Sequence, residues 1–191
     1  MTIVTQRTLL VPYTEELESD FVMLNVCAKN RQHMNGAHTV DSARALFQKV
    51  LTDKQQYAFA VLDIRTRDFI GHVFISLNEP TAELGYLFDK KYWRQGYATE
   101  VLSAFVPEAM KALSLSALCA SVDIGHTASL RLLDKLGFDW VSEASDEFGP
   151  YLNYQFIYDA EEDGSSAHES LSSPVLRDTH HLQAQKTQIH K

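Results

Sequence analysis

Through the first 159 residues the apolar positions recur in two periods, and the switches between them mark the expected elements. Arg7–Pro12 reads as a strand ended by its proline. Leu17, Phe21, Leu24 and Ala28 recur at helical spacing, which predicts a helix from Glu15 to about Ala28 with Thr14 as its cap. A second helix is expected over Val40–Leu51, capped by Asp41. Tyr57–Asp63 and Asp68–Ser76 are β-branched and aromatic runs joined by a short polar turn, and Glu83–Phe88 is a further strand. Helical spacing returns over Gly96–Leu113, where Pro107 should bend the helix. Leu118–Val122 reads as a strand and His126–Leu136 as a helix stopped by Gly137. Phe138–Val141 and Tyr151–Tyr158 are the closing strands. These elements predict a mixed α/β or α+β domain with a strand–helix–strand crossover in its second half.

The pattern stops near Ala160. Residues 160–191 contain no aromatics and few large apolar residues, while Asp, Glu, Ser, Gln and His dominate. Such a segment cannot bury enough surface to offset its ordering entropy. It is expected to be a disordered polar tail, with a short helix around Leu182–Ile189 as the one element it could form. The expected division is therefore a folded domain over 1–159 and a tail over 160–191. His180 and His181 are adjacent but lack a third ligand, so they are read as solvated and no metal site is expected.

At 191 residues and 45% apolar content, the chain suits one packed domain better than two. A net charge of −8 argues against nucleic-acid binding, which needs clustered Lys and Arg, and is compatible with a cationic substrate. No run approaches the ~20 apolar residues of a membrane span. The first residues lack the charged-then-apolar pattern of a signal peptide. The expected setting is cytoplasmic, with no membrane partner. Cys27 and Cys119 have no zinc spacing and are read as reduced, small apolar residues.

The stretch "YWRQGYATEVLSAF", Tyr92 to Phe105, places a glycine immediately before a helical run. The first amides of a helix have no intrahelical acceptor, and the helix dipole adds roughly half a positive charge there. Gly96 and Ala98 leave the backbone open to a phosphate, and Arg94 adds a cation beside it. The Lys and Ser/Thr of an ATP-binding P-loop are missing, and no Gly-x-Gly-x-x-Gly follows the first strand.

"ELGYLFDKKYWRQGYATEVLSAF" followed by "GHTASLRLLDKLGF" resembles the GNAT superfamily of acyl-CoA N-acyltransferases. The likeness is closest to the branch that acetylates ribosomal-protein alanine and serine N-termini, whose opening strand "TQRTLLVP" also resembles. It covers about residues 5–158. The resemblance implies a GNAT-type α+β fold: a mostly antiparallel twisted sheet with one splayed parallel strand pair, flanked by helices. It implies acetyl-CoA as cosubstrate and no metal. The amides of Gln95, Gly96, Tyr97, Ala98 and Thr99 would hold the pyrophosphate. Backbone groups around Leu87 and Phe88 would hold the pantetheine arm between Glu83–Phe88 and Leu118–Val122.

Three positions depart from the family pattern. Trp93 stands where Arg or Gln is frequent, His126 where an Asn often contacts the arm, and Leu133 where many members carry a tyrosine general acid. Ser129 matches the serine thought to assist the departing thiolate, and Glu83 is the candidate base, acting through water or only orienting the acceptor. His126 can substitute for Asn because a neutral imidazole offers one donor and one acceptor, and a helix N-terminus disfavours its charge. His72 and His126 are alternative proton carriers. His33 and His38 fall in a segment that would border the acceptor.

The implied reaction is acetyl transfer to a primary amine within a ternary complex, most simply the α-amine of a protein or peptide N-terminus. Its pKa of ~7.7–8 asks less of a base than a lysine near ~10.4. Two readings stand beside it: acetylation of a small amine such as a polyamine, amino acid or aminoglycoside, and a non-catalytic acyl-CoA-binding regulatory module. The expected assembly is a monomer or homodimer.

Overall fold

The computed structural model describes residues 1–78 and 81–158. The tail, the helix expected around Leu182–Ile189, and His180 and His181 lie outside the described residues. The strands are β1 (Ile3–Val4), β2 (Thr8–Pro12), β3 (Gln56–Asp63), β4 (Phe69–Asn78), β5 (Thr81–Phe88), β6 (Ala117–Asp123), β7 (Asp139–Asp146) and β8 (Gly149–Ile157). The helices are α1 (Glu18–Val26), α2 (Val40–Thr52), α3 (Tyr97–Ala112) and α4 (Thr127–Lys135). The strands form one sheet in the order β1-β2-β3-β4-β5-β6-β8-β7. Every neighbouring pair is antiparallel except β5 and β6. The mixed sheet with a parallel pair, flanked by helices, is the α+β arrangement expected.

Strand alternation explains how one sheet serves two cores. Phe59 and Val61 of β3 face a large core that receives Val101, Leu102 and Phe105 of α3 and Leu133 of α4. Ala58, one position away, packs with Phe21 of α1 and Phe47 of α2 in a smaller cluster. Helices α1 and α2 thus cover one face, and α3 and α4 the other.

The local corrections have local causes. The helix expected from Glu15 begins as a 3₁₀ turn over Glu15–Leu17, and α1 ends at Val26, where Cys27 is extended. Thr14 makes no side-chain cap; its carbonyl instead accepts from the Leu17 amide at 3.0 Å. Thr39, rather than Asp41, caps α2, its hydroxyl accepting from the Ser42 amide at 3.1 Å. Asp41 lies within the first turn, where its charge still favours the helix start. Helix α3 continues through Pro107. The carbonyl that loses its donor belongs to exposed Ser103, within reach of water.

The feature that positions the site is the β5–β6 pair. It keeps one register pair, Glu83 with Cys119. On its outer side β5 stays paired to β4 as far as Phe88, and β6 stays paired to β8 as far as Asp123. The two strands therefore separate beyond Glu83 and open a V whose inner edges carry unpaired backbone. Gly85 lies in that stretch opposite Phe74, and a Cβ there would clash with the Phe74 ring at its Cζ.

Candidate active site

The open V forms a cleft of about 100 Å³. Leu84, Gly85 and Tyr86 line one wall and Ala120 to Asp123 the other. His126 and Ser129, from the start of α4, lie along it. His33, Met34 and Asn35 approach from the α1–α2 connection, and Phe148 to Pro150 from the β7–β8 hairpin.

The expected residues are spread over the start of α3, strand β5 and the start of α4. Gln95, Gly96, Tyr97, Ala98 and Thr99 sit at the start of α3. Gly96 has φ 81° and ψ 0°, a left-handed conformation that glycine adopts without steric cost. Arg94 beside it is exposed, with φ 60°. Sequence reading missed the second cation, Arg7. Its Nε donates to Glu100 Oε2 at 2.6 Å, its Nη1 donates to the Gln95 carbonyl at 3.0 Å, and its guanidinium lies 4.1 Å from the Tyr97 ring centroid. Burial pushes the Glu100 carboxyl up, but hydrogen bonds from Thr5 and Arg7 outweigh that and leave it below its ordinary value. Arg7 thereby ties the opening strand to the glycine turn.

Leu87 and Phe88 are buried at the end of β5, in register with His72 and Gly71 of β4. The Trp93 indole donates to the Phe88 carbonyl at 2.8 Å. The residue that departs from the family pattern therefore braces the loop against the strand that precedes it.

Glu83 lies at the vertex of the V, paired with Cys119. The Cys119 thiol is raised by burial and then by the Glu83 charge. Glu83 also contributes to the rise of Tyr151, behind burial and Asp146.

Ser129 is buried, at 5% exposure, and its hydroxyl hydrogen-bonds the Tyr86 hydroxyl. Burial pushes the Tyr86 phenol up to about 12 against a smaller opposing effect of the Ser129 bond, so it stays protonated. Leu133 is wholly buried in the large core and presents nothing to the cleft. Tyr86 was missed because it sits on β5, 43 residues before Ser129, with nothing local to mark the pairing.

The histidines separate clearly. His72 is buried among Tyr13, Phe21 and Phe74, with Nδ1 2.9 Å from the Tyr13 hydroxyl. Burial lowers it to about 3, so it cannot carry protons near neutrality. His38 hydrogen-bonds Ser42 at 3.0 Å, near the start of α2. His126 occupies the cap position before α4, where its carbonyl accepts from the Ser129 and Leu130 amides. Its ring stacks on His33 at 4.4 Å between centroids, and His33 Nδ1 lies 3.9 Å from Asp123 Oδ1. Burial first and His33 second lower His126 to about 4, against the opposing pull of Asp123. The expected neutral imidazole is present, with desolvation as its largest cause.

Arg31 shapes this side of the cleft, bonding the carbonyls of Gly36 at 2.7 Å and Met34 at 2.8 Å and the Asn25 side chain at 3.0 Å. His126→Asn is expected to preserve acetyl-CoA affinity, and His126→Ala to weaken it by about 1 kcal/mol, the net worth of one hydrogen bond. With His126 neutral above about pH 4, neither variant moves a limb of the rate profile between pH 6 and 7. Calorimetry and a pH–rate series check both statements; a limb lost there would make His126 a proton carrier.

Comparison with known proteins agrees with this architecture. The GNAT acetyltransferase domain matches residues 7–139. The uncharacterised N-acetyltransferase YoaA of Bacillus subtilis is 30% identical over 110 residues, 56% of this chain and 62% of that protein. The chain spans about half to three fifths of the length of the curated relatives it matches. Among solved structures, a GNAT-family acetyltransferase from Bacillus anthracis superposes with a TM-score of 0.73 at 21% identity, over 82% of this chain and 98% of that one. A spermidine N-acetyltransferase from Vibrio cholerae, in complex with CoA and spermine, gives 0.70 at 16% identity over 78% and 95%. Among the described residues, no helix is long and apolar enough to cross a membrane.

Proposed function

Because the chain belongs to the GNAT acetyltransferase family, we propose that it transfers an acetyl group from acetyl-CoA to a primary amine, the α-amine of a peptide or protein N-terminus, by direct attack in a ternary complex. The observation that carries this reading is the single-pair opening of β5 from β6, with the Tyr86–Ser129 pair inside it. The pantetheine arm bears amides, and the unpaired inner edges of two strands offer the donors and acceptors that amides need. The α3 start, with Arg94 and Arg7 close by, suits the pyrophosphate. An arm laid between these places brings the thioester to Ser129.

The amine must reach the carbonyl neutral, and an α-amine loses its proton at ~1 unit from neutral pH, against ~3 for lysine. Glu83, at the vertex, is the proposed base, taking the proton through water. Ser129 is the proposed donor to the departing sulfur.

Asp123 and Asp146 favour a second reading, acetylation of a small polycationic amine. Both line the cleft, whereas no Lys or Arg does among the described residues. An acceptor panel separates the two: a peptide with a free N-terminus, the same peptide blocked but carrying a lysine, and spermidine, with thiol release as the readout. The free N-terminus is expected to turn over fastest. Faster turnover of spermidine would select the second reading. No release with any amine, from protein that binds acetyl-CoA, would mean a binding module and not an enzyme.

A further inference from the structure

Ser129 is a helix serine that does not satisfy itself in the usual way. A hydroxyl in a first helical turn commonly bonds local backbone. Here its partner is the Tyr86 hydroxyl, brought in by β5 from across the V. A serine hydroxyl has one proton and two lone pairs, and so does a phenol, so only one of the two protons can lie between them. The phenol is the stronger acid and therefore the better donor. When Tyr86 donates, the Ser129 proton is left to point elsewhere, and both residues line the cleft. The tyrosine that other members carry on α4 is replaced by Leu133, wholly buried in the core.

We propose that Tyr86 is a positioning residue for acyl transfer, fixing the Ser129 hydroxyl as a hydrogen-bond donor to the departing coenzyme A sulfur. The inference rests on the acyltransferase reading above and adds a residue to it. In the step, the amine nitrogen forms its bond to the acetyl carbon, the C–S bond breaks, and its electron pair stays on sulfur. The nitrogen loses one proton to the base, the thiolate gains one from water, and nothing is oxidised or reduced.

The pair donates a hydrogen bond and does not give up its proton. The Tyr86 phenol is raised to about 12, while a thiol sits near ~8.5. Handing the tyrosine proton to sulfur would run uphill by roughly 3.5 units, about three thousandfold. The favourable contribution is therefore charge-assisted hydrogen bonding to the developing thiolate.

The bound coenzyme A thiol reports on this directly and needs no acceptor. Its ionisation can be followed by thiolate absorbance in the complex with the full chain. Tyr86→Phe keeps the ring and removes the hydroxyl, and is expected to raise the bound thiol pKa by about one unit, the worth of one hydrogen bond. Ser129→Ala should raise it similarly, and the double variant no further. The other titratable groups near the sulfur, namely His33, His126, Asp123, Asp146 and Glu83, are common to all these proteins and cancel in the comparison. Fluorotyrosine at position 86 fills nearly the same space and donates more strongly, so it should lower the thiol pKa. An unchanged titration in Tyr86→Phe or with fluorotyrosine would overturn the proposal. So would a Tyr86→Phe shift that persists in full on the Ser129→Ala background, since Tyr86 would then act on its own. A wild-type protein that does not bind coenzyme A refutes the acyltransferase reading itself; normal binding with no Tyr86 effect refutes the positioning role alone.

Discussion

Gly96→Asp is expected to abolish acetyl-CoA binding without unfolding the protein. The two halves of that statement have separate causes. Gly96 has φ 81°, a region where Asp is among the better-tolerated non-glycine residues. It stands at the cap position of α3, but in the left-handed region and not the extended one from which an Asp side chain usually caps. A Cβ there has room, since its nearest neighbour would be Arg7 Nη2 at 3.5 Å. The fold should therefore survive with a backbone strain of about 1–2 kcal/mol, which a capping gain of a few tenths offsets only slightly but which is small beside a typical total stability. The new carboxylate, however, would occupy the positive end of α3, draw on Arg7, and repel a pyrophosphate. A loss of at least about 100-fold, near 3 kcal/mol, is expected by calorimetry. Gly96→Asn has nearly the same size and a similar tolerance of this backbone but no charge. It should lose only about tenfold, isolating repulsion from bulk. Undiminished affinity in folded Gly96→Asp would remove the pyrophosphate from the start of α3.

That prediction could be framed from sequence because a glycine before a helix is a local signal. Positive φ, exposed amides and an N-terminal dipole all follow from adjacent residues. The same holds for β3 and β4, whose β-branched and aromatic runs mark buried central strands. What was not legible depends on partners far along the chain. Arg7 reaches Glu100 across 93 residues, and Tyr86 reaches Ser129 across 43. Neither pair has a spacing that periodicity could detect. Strand β1 has two residues and is paired to β2 through Ile3 with Leu10 and Val4 with Leu9, too short for any pattern. Strand β7 runs on to Asp146, well past Val141. It is the sheet's last strand, with Trp140 and Val141 both exposed, so it shows no alternation of buried and exposed apolar residues. The cap of α2 fell to Thr39 in place of Asp41 because either side chain suits an N-terminus and only backbone geometry decides between them. His126 shows a subtler gap: its neutrality followed from the helix start, yet its largest cause, burial with His33 stacked over it, needed the fold.

Ser129→Ala should lower kcat by roughly 10–1000-fold while leaving acetyl-CoA affinity nearly unchanged, because one hydrogen bond to charge that develops only in the transition state is removed. In that case kcat and kcat/KM fall together, whereas loss of a ground-state contact would raise KM and spare kcat. Stability complicates the variant and must be measured beside it. Without Ser129 Oγ the half-buried Tyr86 hydroxyl, which lines the cleft, loses this partner, at a cost of about 1 kcal/mol. Adding Tyr86→Phe removes that orphan, so the double variant should regain melting temperature without regaining kcat. Leu133 cannot supply a proton or a hydrogen bond in place of Ser129, and His126 is neutral well below physiological pH. With Tyr86 at about 12, neither hydroxyl titrates across the working range, so the ionising limb of the rate profile should follow the acceptor amine and keep its position in the variant. Single-turnover measurements separate the chemical step from product release, which can otherwise mask the loss. A folded Ser129→Ala protein with wild-type single-turnover rates would assign the departing sulfur to water and leave the Tyr86–Ser129 pair a packing feature of the V.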